Sequence, residues 1–299
     1  FIYLRPEYSE RSGKTLGRAI EEAYNNGFLG ENILGMLFDF DLHIHIGGGS
    51  YVCGEETALI ESMEGGIGRP RLPLNRGLWN QPTLVNNVET LSNIPIIINI
   101  GAESFASIGT PESPGTKLFS ISGCVKKPGI YELPMGTHLR DMIFYHAGGI
   151  RDDRALKAVF PGGISTPILP AREIDSPMDY SSLQKYGSKL GSGAVLVLDE
   201  DVCMVKVALR AMEFFERESC GKCTPCREGI AWLRKILKRI EHGDADNKDV
   251  KLLMDVAKNI CGKSFCDLGD GAALMLMSIL KHFKDEFIKH IDKKRCPFG

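Results

Sequence analysis

Apolar positions follow distinct rhythms along the chain. Leu16, Ala19, Ile20, Ala23 and Tyr24 recur at helical spacing within residues 13 to 27, and Gly27 and Gly30 supply stop signals. A short strand over residues 1 to 4 precedes this helix. The run Phe38-Asp39-Phe40-Asp41-Leu42-His43-Ile44-His45-Ile46 alternates apolar and polar without a break, which predicts a strand with one buried and one polar face. His43 and His45 fall on the polar face and read as solvated rather than ligating. A second helical run follows at Ala58-Leu59-Ile60-Glu61-Ser62-Met63. Residues 65 to 90 are irregular, punctuated by Gly65, Gly66, Gly68, Pro70, Pro73, Gly77 and Pro82.

From Gly115 the texture changes. Residues 117 to 122, 131 to 134 and 193 to 199 read as strands, Val159-Phe160 as a strand end before Pro161-Gly162-Gly163, and residues 139 to 146 as a short helix. This is a small α+β module with mixed pairing, whose Lys126, Lys127 and Arg140 read as solvated side chains. Past Asp199 the pattern is helical to the end. Val202, Val205, Leu209, Met212 and Phe215 form one stripe; Ile230, Leu233, Ile236, Leu237 and Ile240 a second. Val250, Leu253, Val256, Ala257 and Ile260 form a third; Ala273, Leu276, Ile279, Leu280, Phe283, Phe287 and Ile291 a fourth. Four amphipathic helices predict a bundle, with Met275 and Met277 as core filler.

Composition narrows the functional classes. The 299 residues leave room for two or three domains, and 43% hydrophobic with 25% charged residues is ordinary for a soluble globular chain. A formal charge of -2 gives no electrostatic case for nucleic acid. The longest apolar run, residues 272 to 280, is too short to span a bilayer and lies in a helical pattern. Direct membrane insertion is therefore not expected; docking on a membrane complex is compatible. The chain starts Phe-Ile-Tyr-Leu, without an initiator Met, a basic leader or a cleavage signature, and reads as a fragment whose start lies upstream.

The strongest chemical signal is Cys220-Gly221-Lys222-Cys223-Thr224-Pro225-Cys226, three thiols with two residues between each pair, in the loop between the first and second bundle helices. Such a loop offers three thiolates to three corners of one compact inorganic cluster, and a distant cysteine can close the fourth. Cys266, in the turn between the third and fourth helices, is that candidate. A structural zinc also uses four thiolates but usually pairs two close ligands with two distant ones, so the spacing favours [4Fe–4S] over zinc. An odd count of nine cysteines argues against a disulfide network. Cys53, Cys124, Cys203 and Cys261 lack partners at ligand spacing and read as buried small residues. Cys296-Pro297 resembles the neighbourhood of a cluster ligand and reads as a frayed tail or the start of a further module.

The other candidate is Gly47-Gly48-Gly49-Ser50-Tyr51-Val52-Cys53-Gly54-Glu55-Glu56-Thr57, a glycine-rich turn from strand to helix. Its backbone N–H groups and helix N-terminus can approach an anion or a flat cofactor, though it fits neither G-x-G-x-x-G nor a P-loop. Glu55 and Glu56 suit helix capping, and equally suit hydrogen bonds to ribose hydroxyls or a carboxamide. Asn86 and Asn87 can meet the edge of a flavin or a phosphate, or can form an Asx turn before the following helix.

The runs 38 to 45 and 54 to 59, with Val85-Asn86-Asn87-Val88-Glu89-Thr90, the loop from Glu218 to Gly229 and Ser264-Phe265-Cys266, resemble one family in order and across essentially the whole chain. It is the NADH-oxidising flavoprotein subunit of NADH:quinone oxidoreductase (respiratory complex I), a subunit type shared with NAD-linked hydrogenases and formate dehydrogenases. The resemblance implies an α+β multidomain fold. The C-terminal part of an FMN- and NADH-binding α/β domain would occupy residues 1–112, a small β-grasp (SLBB) domain 113–200, and a helical [4Fe–4S]-binding domain 201–299. It implies that Gly47, Gly49, Tyr51, Gly54, Glu55, Glu56, Asn86 and Asn87 line the FMN and nicotinamide pocket, with Glu56 nearest the chemistry. It implies that Cys220, Cys223, Cys226 and Cys266 hold the cluster.

Two departures are visible. The family's first glycine-rich segment would lie upstream of Phe1, and the stretch from Pro70 to Trp79 lacks the Lys and Phe of the family's Lys-Pro-Pro-Phe-Pro-like sequence. The resulting expectation is an NADH:acceptor oxidoreductase subunit using NAD(H), FMN and [4Fe–4S]. It would work beside other subunits of a multi-subunit redox complex, above all an iron–sulfur electron-transfer subunit, in the cytoplasm or as a peripheral subunit on the membrane's cytoplasmic face. The alternatives are a cluster-bearing scaffold without nucleotide oxidation, which the 70 to 79 stretch favours, and a subunit of an NAD-reducing hydrogenase or formate dehydrogenase.

Overall fold

The computed structural model describes residues 1–72 and 76–298, and the chain divides into two units, Phe1–Val85 and Asn86–Gly299. In the first unit, β1 (Ile2–Leu4) and β2 (Ile44–Ile46) pair in parallel, with Ile2 opposite Ile44 and Leu4 opposite Ile46. Parallel neighbours need a crossover, and α1 (Lys14–Asn25) lies on it, half-burying Leu16, Ile20, Ala23 and Tyr24. The strand expected over residues 38 to 46 is much shorter. Only Ile44–Ile46 joins a ladder, while Phe40 exchanges both backbone bonds with Gly30 in an isolated bridge. Alternation reports a strand only where one face is covered, and Phe38 and Phe40 are 59% and 50% exposed.

After β2 the chain turns into α2 (Glu56–Met63). The segment beyond α2 is tied back by one guanidinium. Arg71 Nη1 donates to Glu61 and to Glu64, both at 2.7 Å, and Nη2 donates to the carbonyls of Arg76 and Gly77. The Trp79 amide donates to the same Glu64 carboxylate at 2.8 Å. Of the stretch lacking the family's Lys and Phe, Pro73, Leu74 and Asn75 lie outside the described residues.

The second unit opens with α3 (Val88–Ile100), then a five-stranded mixed sheet. Its strands are β3 (Thr116–Gly123), β4 (Gly129–Pro134), β5 (Leu156–Phe160), β6 (Leu169–Pro170) and β7 (Ala194–Asp199), in the order β4-β3-β7-β5-β6. Only β3 and β7 run parallel. Phe119, Ile121, Val195 and Val197 point from the sheet into a core closed by Leu139, Met142, Met178 and Leu183. The helix expected over 139 to 146 forms as an α-turn, Leu139–Asp141, continued by a wider π-type turn, Met142–His146. The two-residue β6 and the short α4 (Tyr180–Lys185) had no periodic signal to announce them.

The four apolar stripes become α5 (Met204–Glu218), α6 (Thr224–His242), α7 (Asn247–Ile260) and α8 (Asp267–Lys293). Met212, Phe215, Ile230, Leu233, Leu237, Leu253, Leu276 and Phe287 are fully buried. Gly229 lets α6 and α7 approach: a Cβ there would lie 2.6 Å from Ile260 Cγ1. The sheet module docks on α8 through small groups, with the Ile168 amide donating to Ser278 Oγ at 2.9 Å. No helix among the described residues is long and apolar enough to cross a membrane.

Two measurements test these contacts. Gly229→Ala gains about 1 kcal/mol of helix propensity but overpacks against Ile260 at a cost of about 1–3 kcal/mol, so denaturant unfolding should show net destabilisation. Combined with Ile260→Ala it should cost less than the two single changes summed; strict additivity would show that the pair does not touch. Arg71 and the Trp79 amide hold the Glu64 carboxyl below its usual range. A carboxyl depressed on folding contributes stability above its unfolded pKa and loses that contribution as pH falls through the folded value. Wild type should thus exceed Glu64→Gln in stability at neutral pH, and the two should converge in acid unfolding curves. A gap that persisted into strong acid would assign the effect to packing.

Candidate functional site

The predicted site residues fall in both units. In the first, Gly47 is buried, and a Cβ there would sit 1.9 Å from the Tyr3 hydroxyl, so only glycine fits as the chain leaves β2. Gly49 follows with φ +84°, and its carbonyl accepts from Arg5 Nη2 at 2.9 Å. Gly48 and Gly54 are the reverse: among the described residues, no atom beyond their chain neighbours lies within 4 Å of where their Cβ would stand. A backbone bare of side chains on its open side is a cradle that a flat ring or a phosphate can approach. Tyr51 is exposed in the short turn Tyr51–Gly54, and Glu56 is exposed at the first position of α2.

The two readings of the adjacent glutamates separate here. Glu55 caps α2: its Oε2 accepts from the Ala58 amide at 2.8 Å and the Thr57 hydroxyl at 2.6 Å. Glu56 carries no such bond among the described residues and is exposed, so its carboxylate is available to a ligand. In the second unit, Asn87 likewise acts as a cap, its Oδ1 accepting from the Glu89 amide at 2.8 Å at the start of α3. Asn86 beside it is exposed. Glu89 is structural: it accepts from the Leu118 amide at 2.7 Å and pairs with Lys117 at 3.0 Å, fastening α3 to the sheet module.

The thiol loop lies at one end of the bundle. It leaves the C-terminus of α5 at Glu218 and re-enters helix at Thr224, and Gly221, with φ +72°, makes the tight reversal. Ser219 Oγ shares a 3.2 Å hydrogen bond with Cys226 Sγ and accepts from the Gly221 amide at 3.3 Å. Arg227 Nη1 donates to the Gly221 carbonyl at 2.8 Å. The segment carrying Cys266 meets this loop directly. The Phe265 amide donates to Cys223 Sγ at 3.5 Å, and Lys222 Nζ lies 3.8 Å from the centre of the Phe265 ring.

Burial pushes the Cys226 thiol up to about 11; the Ser219 bond opposes this, and the nearby thiols of Cys223, Cys266 and Cys220 add to it. Those four expected ligands therefore share one neighbourhood, while Cys261 is the half-buried cap that ends α7. Cys223 and Cys266 are the N-caps of α6 and α8, so both helices aim their positive ends at the thiols. Four soft thiolates under two helix N-termini suit an anionic iron–sulfur centre.

Two sequence readings of single cysteines need correction. Cys124 and Cys261 are half-buried rather than buried. Cys203 is buried but not alone, and Cys296 is not a frayed end: both lie with Glu241 and His290 in one compact group. No local spacing announces that group, because its members come from three helix ends and the tail.

Comparisons with known proteins agree with this layout. The profile described as the NADH-ubiquinone oxidoreductase-F iron-sulfur binding region matches residues 206–290, the Nuo51 FMN-binding domain matches residues 1–96, and the SLBB domain matches residues 117–198. The second NADH-quinone oxidoreductase-F protein of Rhizobium meliloti (strain 1021) is 51% identical over the whole chain, which covers 72% of that relative. The NADH-quinone oxidoreductase-F protein of Mycobacterium bovis is 48% identical over the whole chain, which covers 67% of its length. Among solved structures, an NAD+-reducing [NiFe]-hydrogenase in the H2-reduced state superposes with a TM-score of 0.85 at 34% identity. That match covers 99% of this chain, which spans about half, 48%, of the hydrogenase chain.

Proposed function

The chain belongs to the NADH-quinone oxidoreductase-F family, and on that premise we propose that it is an NADH dehydrogenase flavoprotein subunit passing electrons from NADH through FMN to a [4Fe–4S] cluster. The observation that carries this reading is the meeting of the 219 to 227 loop with Phe265-Cys266 under the N-termini of α6 and α8. When bound, FMN supplies the exchange between a two-electron hydride and the single electrons that an iron–sulfur cluster accepts.

The chain's own residues bind and position. Cys220, Cys223, Cys226 and Cys266 are the cluster ligands, with Ser219 bonded to the Cys226 sulfur. Gly47 and Gly49 shape the turn by which the chain leaves β2, Gly48 and Gly54 leave its backbone open to the flavin and its phosphate, and Tyr51, Asn86 and Asn87 are the proposed contacts of the flavin and nicotinamide. Glu55 acts through α2, holding the turn in shape with its capping bonds. Exposed Glu56 faces the nucleotide and orients it by accepting hydrogen bonds; no protein nucleophile is required. The corresponding domains are residues 1–112 for FMN and NADH, 113–200 for the SLBB module and 201–299 for the cluster.

The protein works within a multi-subunit redox complex, handing electrons to an iron–sulfur partner, either in the cytoplasm or as a peripheral component on the cytoplasmic face of the membrane. The likeness to an NAD+-reducing hydrogenase favours a second reading, the same path run in reverse to reduce NAD+.

The complete polypeptide, reconstituted anaerobically with iron, sulfide and FMN, should show flavin bleaching on NADH addition and turnover with ferricyanide. Protein that assembles its cluster but retains no flavin would overturn the dehydrogenase reading and leave a cluster-bearing scaffold. For the ligand set, Cys266→Ser should lose the reduced-cluster EPR signal while Cys261→Ser keeps it. The opposite pattern would move the fourth ligand to Cys261.

A further inference from the structure

At the far end of the bundle from the thiol loop, Cys203, Glu241, His290 and Cys296 bring one ligand atom each within 4.8 Å of one another. Cys203 is the N-cap of α5, Glu241 lies in the last turn of α6, His290 in the last turn of α8, and Cys296 in the tail beyond it. The Cys203 Sγ to His290 Nε2 distance is 3.3 Å, His290 Nε2 to Glu241 Oε2 is 3.3 Å, and Cys203 Sγ to Glu241 Oε2 is 3.9 Å. A tetrahedral ion with bonds of about 2.3 Å to sulfur and about 2.0–2.1 Å to nitrogen and oxygen places its ligand atoms roughly 3.3–3.8 Å apart. The three separations among Cys203, Glu241 and His290 fall in or next to that range, and the Cys296 sulfur lies within 4.8 Å of each of the others.

We propose that these four side chains form a second metal centre, a structural zinc(II) site that fastens the C-terminal tail to the bundle.

Three further observations point to a cation. His290 is fully buried, and its Nδ1 lies 2.7 Å from the Glu286 carbonyl, a position only an N–H can occupy. With Nδ1 held on that carbonyl, His290 turns Nε2 toward the group, the arrangement in which a backbone carbonyl orients a metal-binding imidazole. Nε2 faces the Glu241 carboxylate, itself only 12% exposed, at 3.3 Å, a separation that a proton or a shared cation must bridge. The C-termini of α6 and α8 also converge here, and helix C-termini favour cations.

Donor chemistry selects the ion. Two thiols, an imidazole and one carboxylate are too soft for calcium or magnesium and suit zinc, and four ligand atoms this close surround a single ion. The tail is shaped to deliver Cys296. Lys294, with φ +51°, reverses the chain after α8, and Gly243 leaves room for it: a Cβ there would lie 2.2 Å from the Lys294 carbonyl carbon. Phe298 then lies beside the site, its ring centre 6.5 Å from that of His290 and 4.4 Å from Lys157 Nζ.

The test is metal analysis of the complete chain purified from zinc-supplemented cells, with iron counted in the same sample. Wild type should carry about one zinc ion per chain. Cys296→Ser, a change in the tail outside the helical core, should lose the zinc and keep the iron and its EPR signal. Because zinc and iron are counted separately, this result stands whether or not the cluster assignment does. Cobalt(II) added to zinc-stripped protein should give thiolate-to-cobalt absorption in wild type and none in Cys296→Ser. Three results would overturn the site: zinc-free wild type with no cobalt–thiolate band, zinc retained at full stoichiometry in Cys296→Ser, or a Cys203–Cys296 disulfide in the native protein by mass spectrometry. Zinc-free wild type would leave a His290 imidazolium paired with Glu241 as the occupant.

Discussion

Antiparallel packing of four helices is the constraint on which the thiol site depends. Cys220, Cys223 and Cys226 sit between α5 and α6, and Cys266 begins α8, so the two segments meet only if those helix ends are level. That registration is supplied by burial. Ile230, Leu233, Leu237 and Ile240 on α6 are fully buried, and each aliphatic side chain so removed from water contributes roughly 1.5–3 kcal/mol. The loop itself has little apolar surface to bury. It is shaped by Gly221, by the Arg227 bond to its carbonyl, and by the Phe265 contact that the core makes available.

What the sequence disclosed follows the range of the interaction behind each feature. Helix stripes are local and periodic, so all four bundle helices were legible to within a few residues. The three-thiol loop was legible because cluster ligation leaves a fixed spacing in one short segment. The alternation over 38 to 46 overstates its strand because alternation describes a side-chain pattern, whereas a ladder needs a partner, and among the described residues only Ile44–Ile46 has one. β6 and α4 were invisible because two and six residues hold too little periodicity to see.

The least legible features are those made by tertiary approach. Nothing within reach of Cys203 in sequence suggests Glu241, His290 or Cys296; their proximity is a consequence of where three helices end. The adjacent glutamates show a subtler case, since sequence allowed both to cap or both to bind. Geometry divides the labour: Glu55 is engaged by the Ala58 amide and the Thr57 hydroxyl, and Glu56 is left exposed.

The bundle is polar along its axis, and the two ends are matched to opposite charges. α6 is 19 residues long, so its termini stand roughly 28 Å apart, well beyond the reach of exposed charges on one another at physiological salt. At the thiol end, α6 and α8 both present their positive N-terminal ends to ligands that are anionic when they hold iron and sulfide. At the other end the same two helices present carbonyls, beside Glu241 and Nε2 of His290. α5 runs the other way, and its N-terminus meets Cys203, where burial pushes the metal-free thiol up to about 12 although the Lys206 amide, 3.4 Å from the sulfur, opposes this. A carboxylate and two helix C-termini gathered in a largely buried space beside two thiols carry excess negative charge that only protons or a cation can offset. The same helix direction that stabilises an anionic cluster at one end thus calls for a cation at the other.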